Sequence, residues 1–397
     1  MKRPYMVTAT DMRRINRSAI LELIRREGPI SRTLIGETLD VSLPTVMRVI
    51  DELFEEGLVR EQGAKEWSGG RRRALLEFNA EGHVVVGIDM GGTRMFGAIA
   101  DLGGSILHEA EFDRRGSTSE ENYGRLVQLI ETLMADPRLE GRDILGIGVG
   151  APGVTIHQEG IVAWAPSLGW RDYPLREKLA ERFGLPIMVD NDVNLGALGE
   201  LWFGAGQDVQ NMILVTIGSG IGAGIIIDGA LYRGAHEAAG EVGYLMPGRE
   251  FLGKPYTEFG ATEYLAAGTG IAERARQVLK HERSEAELAA LSFDDVFAAV
   301  RQGAPWARKV LDEALDYMAI MISSIGAYFD PELIVLGGSI ARFADLLIEP
   351  LLQRMGGTTP VALKLVASTL GHRATVLGAV TNVLHNTGDF YVVHKLS

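Results

Sequence analysis

Two segments far apart in the chain share one plan: VVVGIDMGGTRMFGAIADLGG from Val84 and MILVTIGSGIGAGIIIDGA from Met212. Each reads as an apolar strand, a turn of glycines with Thr or Ser, a second apolar strand, and an Asp shortly before a further glycine. A hairpin that occurs twice predicts duplicated halves facing a cleft, with each turn presenting backbone N–H groups that suit phosphate oxygens. From residue 82 onward apolar runs alternate with helical stretches, so the expected class is α/β.

At 397 residues the chain has room for two or three domains. The first eighty differ from the rest. From Asp11, the residues Ile15, Ala19, Ile20, Leu23 and Ile24 share one helical face, closed by Gly28-Pro29. Ser31 is placed to cap a short helix, RTLIGETL, and Ser42 to cap a second, LPTVMRVIDELFEEG, with Pro44 in its first turn. Val46, Val49, Ile50 and Leu53 form its buried stripe. LVREQG and ALLEFN are short strands around a basic tip, GGRRR. Three helices and a two-stranded wing make a winged helix-turn-helix over residues 1–80, ahead of a body over 81–397. In that arrangement Ser42, Thr45 and Arg48 face the major groove of double-stranded DNA, Arg32 lies near the backbone, and Arg71, Arg72 and Arg73 suit phosphates or a narrow minor groove. A winged helix that serves protein contacts is the alternative.

Charge agrees with the DNA reading. The chain as a whole is acidic, at −13, but residues 1–80 carry 14 Lys+Arg against 12 Asp+Glu, leaving 25 against 40 in the remaining 317. A DNA-facing head on an acidic body follows. The absence of cysteine excludes disulfides, thiolate metal sites and a cysteine nucleophile. No signal-peptide pattern opens the chain and no run of eighteen apolar residues occurs, so the expected location is the cytoplasm.

Within the body, GVGAPG at 148–153 matches a dinucleotide fingerprint, but Pro152 and TIHQEG do not open a helix, and no Walker-type loop exists. PIMVDNDVNLGALGEL reads as a buried strand ending at Asp190-Asn191-Asp192, then a helix. Carboxylates at the C-terminal end of a strand sit where α/β sheets bind ligands, and one there can accept the proton of an attacking hydroxyl. An Asp/Asn helix cap is the competing reading. Glu241 in GAHEAAGEVGYL and Glu263 in FGATEYLAAG are further acids, and DPELIVLGGSIAR is a buried strand, a double glycine and a helix start.

Together these residues resemble the ROK family (repressors, open reading frames, kinases) along essentially the whole chain. The head is similar to that of its xylose-repressor and N-acetylglucosamine-repressor branch. The body resembles a two-lobed actin/hexokinase-like ATPase fold, lobe one at about 81–195 plus the C-terminal helix and lobe two at about 196–371. The resemblance implies a first phosphate loop at Asp89, Gly91, Gly92 and Thr93, and a second at Thr216, Gly218, Ser219 and Gly220. It implies an adenosine segment at Gly337-Gly338, a catalytic base at Asp192, and sugar-hydroxyl ligands at Asn191, Glu241 and Glu263. Four positions depart from the family pattern. Tyr244 stands where a zinc- and sugar-binding histidine is usual, Ala261 where the last zinc cysteine is usual, and Ser167 where a sugar-binding asparagine is usual. Arg94 replaces the common lysine of the first loop. Zinc of the family type is therefore not expected.

An intact head with an altered pocket ranks a sugar-responsive transcriptional regulator first, a repressor of carbohydrate-utilisation genes that requires no cofactor. The resemblance implies a homodimer or higher homo-oligomer, which suits a palindromic operator. An ATP-dependent hexose kinase using Mg-ATP and carrying a DNA-binding head is the alternative.

Overall fold

The computed structural model describes residues 8–62, 74–114, 116–256 and 259–387. In the head, helix α1 (Ala9–Glu27) starts at a capping box between Thr8 and Asp11 and stops at Gly28. Ile20, Leu23 and Ile24 point into the core as the periodicity requires, whereas Ile15 is exposed. The N-terminal half of this helix meets the rest of the head through charge. Arg13 and Arg17 reach Glu52 at 2.7 and 3.6 Å, and Arg17 also pairs with Glu56. Strand β1 (Ile30–Ser31), α2 (Arg32–Leu39), α3 (Leu43–Glu55), β2 (Val59–Gln62) and β3 (Leu75–Phe78) follow. The wing sheet has three strands in the order β1-β3-β2, not two. A two-residue strand has no alternation to read, and tertiary pairing alone recruits it.

The body contains two five-stranded sheets of matching plan. The first uses β4 (His83–Asp89), β5 (Arg94–Asp101), β6 (Ile106–Asp113), β7 (Asp143–Ala151) and β11 (Ile187–Asn191), in the order β6-β5-β4-β7-β11. The second uses β12 (Met212–Ile217), β13 (Ile221–Ile227), β14 (Ala230–Tyr232), β15 (Leu333–Gly337) and β16 (Leu365–Ala367), in the order β14-β13-β12-β15-β16. In both, three antiparallel strands begin the sheet and two parallel strands extend it. The repeated hairpin of the sequence is thus the start of a repeated sheet.

Helix α4 (Ser119–Met134) covers the first sheet. The short strands β8 (Val154–Ile156), β9 (Ile161–Ala165) and β10 (Trp170–Tyr173) form a separate sheet, followed by α5 (Leu175–Phe183). Helices α7 (Ala261–Ala266), α8 (Gly268–Leu279), α9 (Glu285–Ala290), α10 (Phe293–Arg301), α11 (Pro305–Phe329) and α12 (Ala344–Met355) accompany the second sheet. A 3-10 turn, Ser339–Phe343, separates the double glycine after β15 from α12, so the helix begins later than the sequence suggested.

Between the two sheets lie α6 (Asp192–Phe203) and α13 (Ala374–Thr387). They meet backbone to backbone: a Cβ on Gly199 would sit 2.1 Å from Ala374 O, and one on Gly378 only 1.7 Å from Leu195 O. The head does not hang from a free linker. Ile20, Leu21, Leu23 and Ile24 share one apolar core with Val85, Ala100, Leu377, Val380, Val383 and Leu384 of the body. Among the described residues, no helix is long and apolar enough to cross a membrane.

Candidate functional site

The head's exposed surface comes from how α2 and α3 are held. Ser31 caps α2 by accepting the Leu34 N–H at 3.2 Å, and Asp40 ends it in the left-handed region at φ +52°. Val46, Val49, Ile50 and Leu53 are fully buried, which turns the opposite face of α3 to solvent. Ser42 and Arg48 lie on that face, and Thr45 is half-buried. Ser42 occupies the N-cap position without capping an amide; its hydroxyl instead pairs with Thr45 Oγ1 at 2.9 Å. Arg32 is tied to Glu61 of the wing at 3.0 Å and lies over the Phe54 ring. Arg71, Arg72 and Arg73 fall outside the described residues.

In the body, the two hairpin turns come together. A Cβ on Gly92 would lie 2.3 Å from Ser219 Oγ, so the first turn (Asp89 to Thr93) touches the second (Thr216 to Gly220). Backbone carbonyls of the second turn are held by the start of α8: Gly268 N–H donates to Gly218 O at 2.8 Å and Thr269 Oγ1 to Ser219 O at 2.9 Å. Gly337 ends β15, and Gly338 has φ +77° with a would-be Cβ 2.5 Å from Ile217 O. Only glycine fits there.

Four acids converge beside these turns. Asn191 is the cap of α6, its carboxamide oxygen accepting the Val193 and Asn194 N–H groups at 2.9 and 3.0 Å while its Nδ2 donates to Gly153 O. That capping leaves Asp192, the next residue, at the open end of the helix. Burial raises the Asp192 carboxyl to about 6, against the opposing pull of its own turn's backbone N–H groups and Arg114. Asp89 is pushed to about 8 by burial and then by Asp192, and Glu241 to about 7 by burial, Glu263 and Asp192. Glu263 is raised by burial although it accepts the Ile221 N–H at 2.8 Å and the Gly260 N–H at 3.0 Å. It therefore both caps α7 and braces the second turn. Tyr244, in a 3-10 turn, is 42 % exposed, and Ser167 is exposed at the end of the β9 hairpin arm.

Two features escaped the sequence reading. Arg114, 4 % exposed, donates through Nε to Gly91 O at 2.5 Å and through Nη1 to Ser167 O at 3.1 Å. It joins the first turn to the Ser167 loop and is a cation facing Asp192. The second is a clasp between the sheets. Arg233, just after β14, grips the wholly buried Asp190 at the end of β11 with two bonds of 2.7 and 2.6 Å. Beside it, His157 Nδ1 lies 2.8 Å from Glu237 Oε1, and Glu237 adopts φ +57°. Neither Arg114 nor Arg233 stands in a motif, and their partners are distant in sequence.

The arrangement gathers buried carboxylates of raised proton affinity, one of them at a helix start, beside two glycine turns at contact distance, a set able to accept hydroxyl hydrogen bonds and protons. Comparison with known proteins gives the family. Residues 85–386 match the ROK family model, and residues 13–60 match a winged helix-turn-helix DNA-binding model. A xylose repressor of Caldicellulosiruptor bescii is 31% identical over 391 residues, covering 96% of this chain and 98% of its own. A glucokinase of Halalkalibacterium halodurans is 36% identical over 313 residues, covering 74% of this chain and 92% of its own. Among solved structures, a ROK family transcriptional regulator, a homologue of the E. coli MLC protein, superposes with a TM-score of 0.81 at 28% identity, covering 94% of this chain and 96% of that one. The kinase match covers about three-quarters of this chain, whereas the two regulator matches cover nearly all of it. The chain belongs to the ROK family and carries the winged helix-turn-helix of its transcriptional regulators.

Proposed function

We propose that this protein is a sugar-responsive repressor of carbohydrate-utilisation genes, with residues 1–80 as the DNA-binding domain and residues 81–397 as the sugar-binding domain. The observation that carries the reading is the common core of head and body, in which Ile20, Leu23 and Ile24 pack with Leu377, Val380 and Leu384. A head fused in this way follows any movement of the helices beneath it. The ligand is a sugar held between the lobes by Asp192, Glu241 and Glu263, with Asn191, Ser167 and Tyr244 shaping the pocket. Similarity to a xylose repressor supports that ligand class. Ser42, Thr45 and Arg48 read the operator, and Arg32 and Arg71–Arg73 contact its backbone. A homodimer presents two heads to a palindromic site, and the protein acts in the cytoplasm without zinc.

The test is fluorescence anisotropy of the full-length chain on a duplex from its own promoter region and on random duplex at equal salt. It is run with and without D-xylose, D-glucose and N-acetylglucosamine. Promoter preference that changes with a sugar supports the reading; equal affinity for both duplexes contradicts it.

A kinase is the second reading, favoured by the contact of Gly92 with Ser219 beside Asp89 and Asp192. Mg-ATP would be held by the two turns and by Gly337-Gly338, whose glycine-only backbone suits close approach of phosphates, and it would supply the phosphoryl group. Asp192 would take the proton of a sugar hydroxyl held by Glu241 and Glu263. Tyr244 and Ser167 alter the side that positions the sugar, and misplacement of about 1 Å costs about a hundredfold in rate. ADP release near 10 per second, a typical enzyme rate, lost in Asp192→Asn, would reverse the ranking.

A further inference from the structure

Helix α6 begins in the candidate cleft and ends on the head. Its first residue is Asp192, and its eleventh, Trp202, lies under the guanidinium of Arg25 of α1, 4.2 Å from the ring centroid. Over that length an α-helix advances about 15 Å. Trp202 is 6 % exposed and meets the edge of the His385 ring at 4.9 Å, so α1, α6 and α13 come to one point. Burial, with Arg25 nearby, pushes His385 down to about 4, and the neutral ring packs under the cation without repelling it. Arg25 is itself fixed by Glu22, through bonds of 2.8 and 3.0 Å.

Slippage of α6 along its neighbour is blocked at three levels. At the cleft end Thr375 Oγ1 donates to Asp192 O at 3.2 Å. In the middle, Gly199 and Gly378 bring the two backbones into contact, leaving no side chain that could yield. Towards the head, the buried Glu200 carboxylate accepts the N–H groups of Ala205 and Leu370 and the hydroxyl of Ser368. Packed interiors transmit displacement instead of absorbing it.

We propose that α6 is a rigid rod that reports the state of the cleft to the DNA-binding head through the stacking of Trp202 on Arg25. The inference rests on the regulator reading for its purpose, since a head that reports nothing to DNA needs no such rod. Its physical content is a coupling between Asn191 at one end and α1 at the other. Two states of the cleft bias the head only if they differ in free energy at that contact.

Hydrogen exchange of the full-length chain, with neither sugar nor DNA present, tests the coupling apart from the regulator reading. Asn191→Ala removes the cap that sets the cleft end of α6. It should speed exchange of the amides of residues 18–27 at least threefold, while α4, which lies off the rod, stays within 1.5-fold. In a Trp202→Leu background the same substitution should change residues 18–27 by less than half as much, the remainder passing through the core that α13 shares with α1. If Trp202→Leu fails to fold, Arg25→Gln, which removes the partner from the head side, gives the decisive background. Exchange in α1 that ignores Asn191→Ala, or responds equally in the uncoupled background, overturns the proposal. Loss of promoter preference in the separate anisotropy assay would instead sink the regulator reading.

Discussion

Replacing Arg233 by Met should destabilise the body by more than any surface charge change. Asp190 is fully buried, and its strongest partner is the two-bonded guanidinium. Without Arg233 it keeps the Asn191 N–H at 2.8 Å and a weak contact with Asn194 Nδ2 at 3.5 Å. Breaking a buried pair from one side typically costs about 3–5 kcal/mol, because the surviving charge has lost its compensation. For a cooperative unit of about 300 residues, an unfolding entropy near 2.1 cal/mol/K per residue converts this into a fall of about 5–8 °C in Tm. Calorimetry at pH 7.5 on wild type, Arg233→Met, Asp190→Asn and the double variant gives the full cycle. Asp190→Asn in the Arg233→Met background should recover at least half of the loss, since the fully buried charge is then gone and only Glu237, 3.6 Å from the Arg233 guanidinium and partly exposed, has lost its cation. A drop of under about 1 °C for Arg233→Met, or a double variant as unstable as the two losses added, would refute the reasoning. The pair joins the end of β11 to the segment after β14, so the same variant should also loosen the two sheets.

Titration gives the next prediction. Asp89, Asp192 and Glu241 have folded-state values raised to about 8, 6 and 7, so the folded protein binds protons that the unfolded chain releases. Their contribution to stability is therefore lost as pH rises from about 4 through those values. The Tm of Asp89→Asn relative to wild type should climb between pH 5 and 8.5; a difference independent of pH contradicts the burial assigned to Asp89. On DNA, Arg48→Ala should cost about 1–3 kcal/mol of base discrimination. Arg71→Ala with Arg72→Ala should instead weaken binding to all sequences and flatten its salt dependence, and anisotropy at several salt concentrations separates the two effects. Elemental analysis of the purified protein should find less than about 0.1 zinc per chain, because the thiolates of a structural site are absent from the sequence. One tightly held equivalent would require ligands of another kind.

The sequence by itself determined the local elements. The stripe Val46, Val49, Ile50 and Leu53, the Ser31 cap and the turn before Ser42 follow from helical periodicity and capping chemistry, which depend on neighbours within a few residues. The paired hairpins were legible for the same reason, and Asn191-Asp192 could be placed at a strand end before a helix. Tertiary structure alone decided which of the two is the cap: Asn191 accepts the Val193 and Asn194 N–H groups, while Asp192 accepts the Val193 N–H through Oδ1 and lies beside the other buried acids. It also decided that Ile15 stays in solvent, although helical periodicity puts it on the same face as the buried Ile20, Leu23 and Ile24. Arg114, the Arg233–Asp190 clasp and the stacking of Arg25 on Trp202 join residues 23 to 177 positions apart. No local pattern carries such pairs, because the residue types at each end are common and only the folded chain brings them within reach.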